Sequence, residues 1–222
     1  MKSLKILTLA VLLVALPLAA SAQDPVKVDP GHYKLLLDNA SVRVLKITVP
    51  VGAKSPMHSH PDAILVPLAS GKARFTMPDG KTEDLEIVKE IASWTPAMTH
   101  SPANVGTAGI EGILVEFKGA PGTATLPAAR PGLQTTTLIE NARAVAIKTT
   151  AAPDFHEAAG STHEYDQVVI ALGAADMSLA VEGKAPVTKW QRGDVQFIGR
   201  GVKHESKNTS GKPIDFVIVA IK

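Results

Sequence analysis

The sequence answers itself at a fixed offset, and no other feature limits its fold so tightly. His100 to Asn104 (HSPAN) returns as His204 to Asn208 (HESKN), and Ile110 to Lys118 returns as Ile214 to Lys222 at the same spacing. Asn39 to Lys46 and Asn141 to Lys148 both open on Asn-Ala and close on Lys. Asp166-Gln167-Val168-Val169-Ile170 falls where Asp62-Ala63-Ile64-Leu65-Val66 predicts it. A spacing held across two halves implies two copies of one domain of about 90 to 100 residues, near the usual domain size.

Each half reads as β structure. Leu45, Ile47 and Val49 alternate with Lys46 and Thr48 across residues 42–49, which gives a half-buried strand. Ile64-Leu65-Val66 reads as a buried strand, and Ala73, Phe75 and Met77 alternate with Arg74 and Thr76. Pro78-Asp79-Gly80 is a turn, because proline presets φ and glycine tolerates positive φ. Further strands are expected over about residues 83–95 and over 110–118. Short strands, turn residues between them and no long 3.6-residue period predict an all-β fold, a sandwich or barrel. Residues 23–34 read as an arm or edge strand. Residues 119–137 are rich in Gly, Pro, Ala and Thr without a strand period and read as a linker or crossing arm. The expected division is a leader over 1–22, domains over 23–120 and 138–222, and a linker over 121–137.

Hydrophobic residues make up 45% of the chain but aromatics only 4%, so aliphatic side chains and alanine must fill the core. The absence of cysteine excludes disulfides and thiolate metal sites. Lys2 and Lys5, the apolar run from Leu7 to Leu16 and the small-x-small Ala20-Ser21-Ala22 form the three parts of a secretory signal peptide. The apolar run is shorter than the roughly 20 residues a membrane span needs, so export to the periplasm or medium is expected, without a membrane anchor after cleavage. Removing Lys2 and Lys5 from the 23 basic residues leaves 21, equal to the 21 acids. A mature chain with no net charge and no basic run offers no argument for nucleic acid or an anionic membrane.

The chemistry-bearing stretch is Gly52 to Gly71. His58 and His60 stand at i and i+2, which on a strand places both imidazoles on one face. A third donor from elsewhere would complete a metal site, and His100 is the best candidate. The nearby carboxylates are Asp62 and Glu116; Asp62 either shares the face of His60, as an orienting group or substitute ligand, or serves as a turn residue after Pro61. In the second half His163, Gln167 and His204 form a weaker constellation, with Glu164 nearby, suited to a ligand pocket. His32 reads as a surface histidine. His156, Glu157 and Tyr165 lie on the approach to the second constellation or at solvated surface, and Trp94 and Trp190 read as core or rim packing.

These motifs resemble the cupin superfamily in its two-domain, bicupin form. Cupin motif one is G-x5-H-x-H, three or four residues, E, then x6-G. Gly52, His58, His60 and Gly71 fit its spacing, while Ile64 or Leu65 stands at the Glu position. Motif two is G-x5-P-x-G-x2-H-x3-N. Gly193, Gly201, His204 and Asn208 fit it with Gly199 in place of proline, and His100 and Asn104 fit it with Lys89 and Ala97 at the glycine positions. Aligned through His163, Ser161 takes the first His position of the second half and Gln167 the Glu position. The resemblance implies two tandem double-stranded β-helix (jelly-roll) barrels with ligands projecting into the barrel mouths. It also implies a divalent transition metal (Fe, Mn, Ni or Zn) on His58, His60 and His100, and a small-molecule ligand or substrate. Two functions fit: a metal-dependent dioxygenase-like enzyme, and a non-catalytic cupin that binds a small molecule or metal. Pairing of edge strands into a homodimer is compatible with such barrels.

Overall fold

The computed structural model describes residues 23–123 and 130–222, so the expected leader lies outside the described residues. Among the described residues a one-turn helix, α1 (Pro25–Val28), precedes eighteen strands. In the first half these are β1 (Tyr33–Asp38), β2 (Val42–Val49), β3 (His58–His60), β4 (Ala63–Pro67), β5 (Gly71–Thr76), β6 (Thr82–Ile87), β7 (Ser93–Thr95), β8 (Met98–Asn104) and β9 (Ile110–Phe117). The second half has β10 (Leu133–Glu140), β11 (Ala144–Ala151), β12 (His156–Ser161), β13 (Asp166–Ala171), β14 (Ala175–Val181), β15 (Val187–Trp190), β16 (Val195–Ile198), β17 (His204–Asn208) and β18 (Ile214–Ile221). No helix among the described residues is long and apolar enough to cross a membrane.

Each half is a pair of antiparallel sheets, and the two halves share one topology. A five-stranded sheet β1-β2-β9-β4-β7 faces a four-stranded sheet β3-β8-β5-β6; their counterparts are β10-β11-β18-β13-β16 and β12-β17-β14-β15. The strand order of one half maps onto the other strand for strand, which is the repeat seen in the sequence. β10 begins inside the stretch read as linker: Leu133 pairs with Ala151 and Thr136 with Lys148. Its Gln-Thr-Thr-Thr run is largely exposed, so no apolar alternation marks it, although β-branched threonine suits a strand. The expected strand over 83–95 is two strands, β6 and β7, on different sheets.

The five-stranded sheets pack against each other through their outer faces. Val42, Val44, Ile64, Val66, Ile113 and Val115 of one half meet Ala144, Ala146, Val168, Ile170, Val217 and Val219 of the other in one core. This explains why Ile64-Leu65-Val66 and Val168-Val169-Ile170 are continuous apolar runs. One face of each strand lines its own barrel and the other meets the second barrel, so neither face is solvated. Polar contacts edge the seam. Arg192 donates to the Leu68 carbonyl at 2.9 Å and pairs with Glu111, Lys148 pairs with Glu90 at 2.6 Å, and Ser41 donates to Asp166. Gly193 sits at φ 86° with its α-carbon against the seam; a Cβ there would lie 2.9 Å from Leu68 Cδ1 of the first half.

Candidate metal centre

The register of β3 on β8 builds the first site. His58 stands opposite His100 and His60 opposite Met98. Alternation along β3 returns His60 to the face of His58. The three rings converge inside the first barrel, with centroids 4.8 Å (58–60), 5.0 Å (58–100) and 5.3 Å (60–100) apart. All three side chains are buried, and one ligating nitrogen from each lies within 4.8 Å of the other two.

Hydrogen bonds behind the rings fix which nitrogen faces the centre. His58 Nδ1 lies 2.8 Å from the Pro56 carbonyl, which only accepts, so Nδ1 carries the proton. His60 Nδ1 lies 2.8 Å from Glu116 Oε1 and donates to it. Both Nε2 atoms are then lone-pair nitrogens, and they face each other at 3.0 Å. Two lone pairs aimed at one another repel unless a proton or cation lies between them. On His58 a proton is disfavoured: burial, reinforced by His60, lowers its pKa to about 4. Burial, with His60 and His58 adding to it, lowers that of His100 to about 3. Neither ring nitrogen of His100 has a hydrogen-bond partner among the described residues. A buried imidazole without partners is costly, and three imidazoles converging on one point suit a divalent transition metal.

The carboxylate at this site comes from a neighbouring strand. On β4 the side chain of Ile64 points into the core between the barrels, so it does not stand in for a motif Glu. Ala63 is paired with Glu116 as Gln167 is paired with Ala220, so the counterpart of Gln167 is Ala63 rather than Ile64 or Leu65. The small Ala63 leaves room for Glu116, which is 1% exposed and also receives Arg43 Nη1 at 3.4 Å. Glu116 thus holds the role considered for Asp62. Pro61 interrupts the strand after His60, and the Asp62 carboxylate instead accepts from the Ala97 backbone N–H at 2.9 Å. Asp62 is a loop anchor.

The N-terminal arm closes one side. Ser59 N–H donates to the Gln23 carbonyl at 3.0 Å, and Tyr33 meets His58 edge to face at 4.9 Å. His32 is tied to Asp29 at 2.8 Å, and Ser55 donates to the same carboxylate, so this histidine braces the arm. On the other side lies a cavity of about 70 Å³, lined by His60, His100 and mostly apolar groups such as Leu65, Phe75, Ile87 and Leu114. A groove of about 410 Å³ shares Leu65, Phe75, Ile87 and Thr95 with it and so forms its mouth.

In the second barrel His163, His204 and Glu157 converge, again within 4.8 Å. Ser161 pairs with His204 as His58 pairs with His100, which agrees with the alignment through His163. Glu157 is not at solvated surface. Its side chain is 11% exposed and lies 3.3 Å from His204 Nε2 and 3.6 Å from His163 Nε2. It accepts from Ser206 Oγ at 2.9 Å and pairs with Arg130. Burial opposes its charge, but His204 and Arg130 outweigh that and lower its pKa to about 2. The His204 pKa is raised: burial works against the imidazolium, and Glu157 and the Val202 carbonyl overcome it. Burial and Arg130 lower His163 to about 4. Gln167 is buried beside this cluster with its Oε1 unpartnered among the described residues. Tyr165 is buried, not at the surface, and stacks on His163 at 5.2 Å. His156 is exposed and pairs with Glu205. Trp190 is core, its Nε1 donating to Met177, and Trp94 stacks on Phe117 at the edge of the seam.

The arrangement is that of two tandem jelly-roll barrels of the cupin fold, with three buried histidines converging in the N-terminal one. Solved structures agree on the fold. Salicylate 1,2-dioxygenase from Pseudaminobacter salicylatoxidans is similar with a TM-score of 0.61 at 10% identity, over 85% of this chain and 76% of that one. AerE from Microcystis aeruginosa is similar with a TM-score of 0.59 at 13% identity, over 86% and 97% of the two chains. A cupin 2 conserved barrel domain protein from Leptotrichia buccalis gives 0.53 at 8% identity, over 86% and 88%. No protein-family model and no curated protein matches the sequence.

Proposed function

We propose that the protein is an exported bicupin that holds one divalent transition metal (Fe, Mn, Ni or Zn) on His58, His60 and His100 and acts as a metal-dependent oxygenase on a small molecule. The observation that carries the metal is the pair of Nε2 lone pairs facing at 3.0 Å, each fixed by an acceptor behind its ring. Bound there, the ion would supply open positions where dioxygen and an organic substrate can meet. The chain's own part is to hold and shield. Glu116 orients His60 and Pro56 orients His58, while Leu65, Phe75 and Leu114 exclude water from the cavity. No lysine or arginine lines the cavity or its mouth, whereas Glu111, Glu83 and Glu86 do. That charge balance favours a neutral, largely apolar substrate over a carboxylate-bearing one.

The size of the cavity favours a second reading, in which the barrel binds a metal or small molecule without turnover. About 70 Å³ is far below the 300 Å³ or more of common ligand pockets. Elemental analysis of untagged mature protein, followed by oxygen uptake with neutral phenols and dienes, separates the two. A stoichiometric ion with substrate-dependent oxygen consumption is expected. An ion without consumption supports the binding reading. Protein that cannot take up added Fe(II), Mn(II), Ni(II) or Zn(II) overturns both metal readings.

A further inference from the structure

We propose that Arg130 serves as a built-in cation for the C-terminal barrel and keeps the Glu157–His163–His204 cluster from taking a metal ion. The two barrels place their carboxylates on opposite sides of the imidazoles. In the N-terminal barrel Glu116 bonds to Nδ1 of His60, behind the ring, and leaves Nε2 free toward the centre. In the C-terminal barrel Glu157 stands in front of the rings, 3.3 and 3.6 Å from the two Nε2 atoms, where an ion would sit. Its Oε1 is held by the Arg130 guanidinium and its Oε2 by Ser206.

The charge is therefore already balanced. An entering ion would have to take Glu157 from a largely buried guanidinium and leave that cation without its partner, which is strongly unfavourable. Arg130 and Glu157 both line the cavity of this barrel, which measures about 20 Å³ against about 70 Å³ in the first. The ligand set is otherwise sufficient. Two imidazoles whose Nε2 atoms face the Glu157 carboxylate form with it a donor set that transition metals accept. Removing the guanidinium while keeping the length of its stem should then open the site.

The test is zinc stoichiometry, measured by elemental analysis after loading with Zn(II) and dialysis. Arg130→Met is expected to hold one equivalent more than its parent, and Arg130→Lys the same as its parent. The gain should vanish in the Arg130→Met/His204→Ala double variant. In a His58→Ala background the same change should raise zinc from none to one. The increment is read against whatever the parent holds, so failure of the N-terminal site and failure of this proposal are distinguishable. A folded Arg130→Met variant with its parent's count overturns the proposal. Should that variant not fold, His204→Ala in the otherwise unchanged chain decides: no loss of zinc is expected, and loss of an equivalent overturns it.

Discussion

Imidazole tautomers decide the chemistry at the residue scale. His58 and His60 each give a proton to an acceptor at the back, so in the neutral rings the forward nitrogens are the lone-pair atoms. His58→Ala or His100→Ala is therefore expected to abolish stoichiometric metal in the N-terminal barrel, as read by elemental analysis. Glu116→Gln should weaken metal affinity by about tenfold or more, measured by chelator competition, because a neutral amide orients and polarises His60 less well than a carboxylate. The metal-free protein should also be sensitive to acid. The folded pKa values of His58 and His100, about 4 and about 3, lie below the unfolded value of about 6.5. Between these limits the unfolded chain binds protons that the fold refuses, so stability is full above about pH 6.5 and falls as pH drops toward 4. Thermal melts across that range should show this slope, and a His58→Ala/His100→Ala double variant should show less of it. The three histidines were legible in the sequence, since strand alternation and motif spacing both point to them. Glu116 was harder to read, because its partnership with His60 arises from strand register and not from chain proximity. One clue was present: a carboxylate flanked by Val115 and Phe117 at the end of the apolar run ILVEF is out of place unless something inside the barrel receives it.

At the scale of elements, patterning succeeded where one face is buried and failed where it is not. β2 and β9 lie where alternation and apolar runs placed them, whereas β10 hid in a threonine-rich stretch whose faces are both largely exposed. Pattern alone leaves Glu157 between the approach to the second cluster and the surface for a related reason. β12 carries an irregularity between Glu157 and Ser161, so counting residues from His163 does not reveal which side chains face inward. The motif-two turn before β16 is a place where an element depends on one residue. Gly193 adopts φ 86° and would bring a Cβ to 2.9 Å from Leu68. Gly193→Ala should cost about 1–2 kcal/mol from backbone strain alone, with the contact adding to it, as read by urea unfolding.

On the scale of the whole molecule, the repeat in the sequence is legible as two barrels, but their union is not, because an outer-face core looks like ordinary strand hydrophobicity until both sheets are seen together. Ile170, fully buried between the barrels, tests that union. Ile170→Ala should destabilise the chain by about 2–5 kcal/mol, and unfolding should remain a single transition because both halves share the core. Metal binding by the N-terminal barrel should survive in the fraction that stays folded. The back-to-back sheets also bear on how such a chain can change. The C-terminal half supplies the wall against which the histidine barrel leans, and a wall is judged by its shape. If Arg130 fills the second barrel as proposed, its inner chemistry has been traded for an ion pair while the wall keeps its shape, and a twin so silenced would still be indispensable.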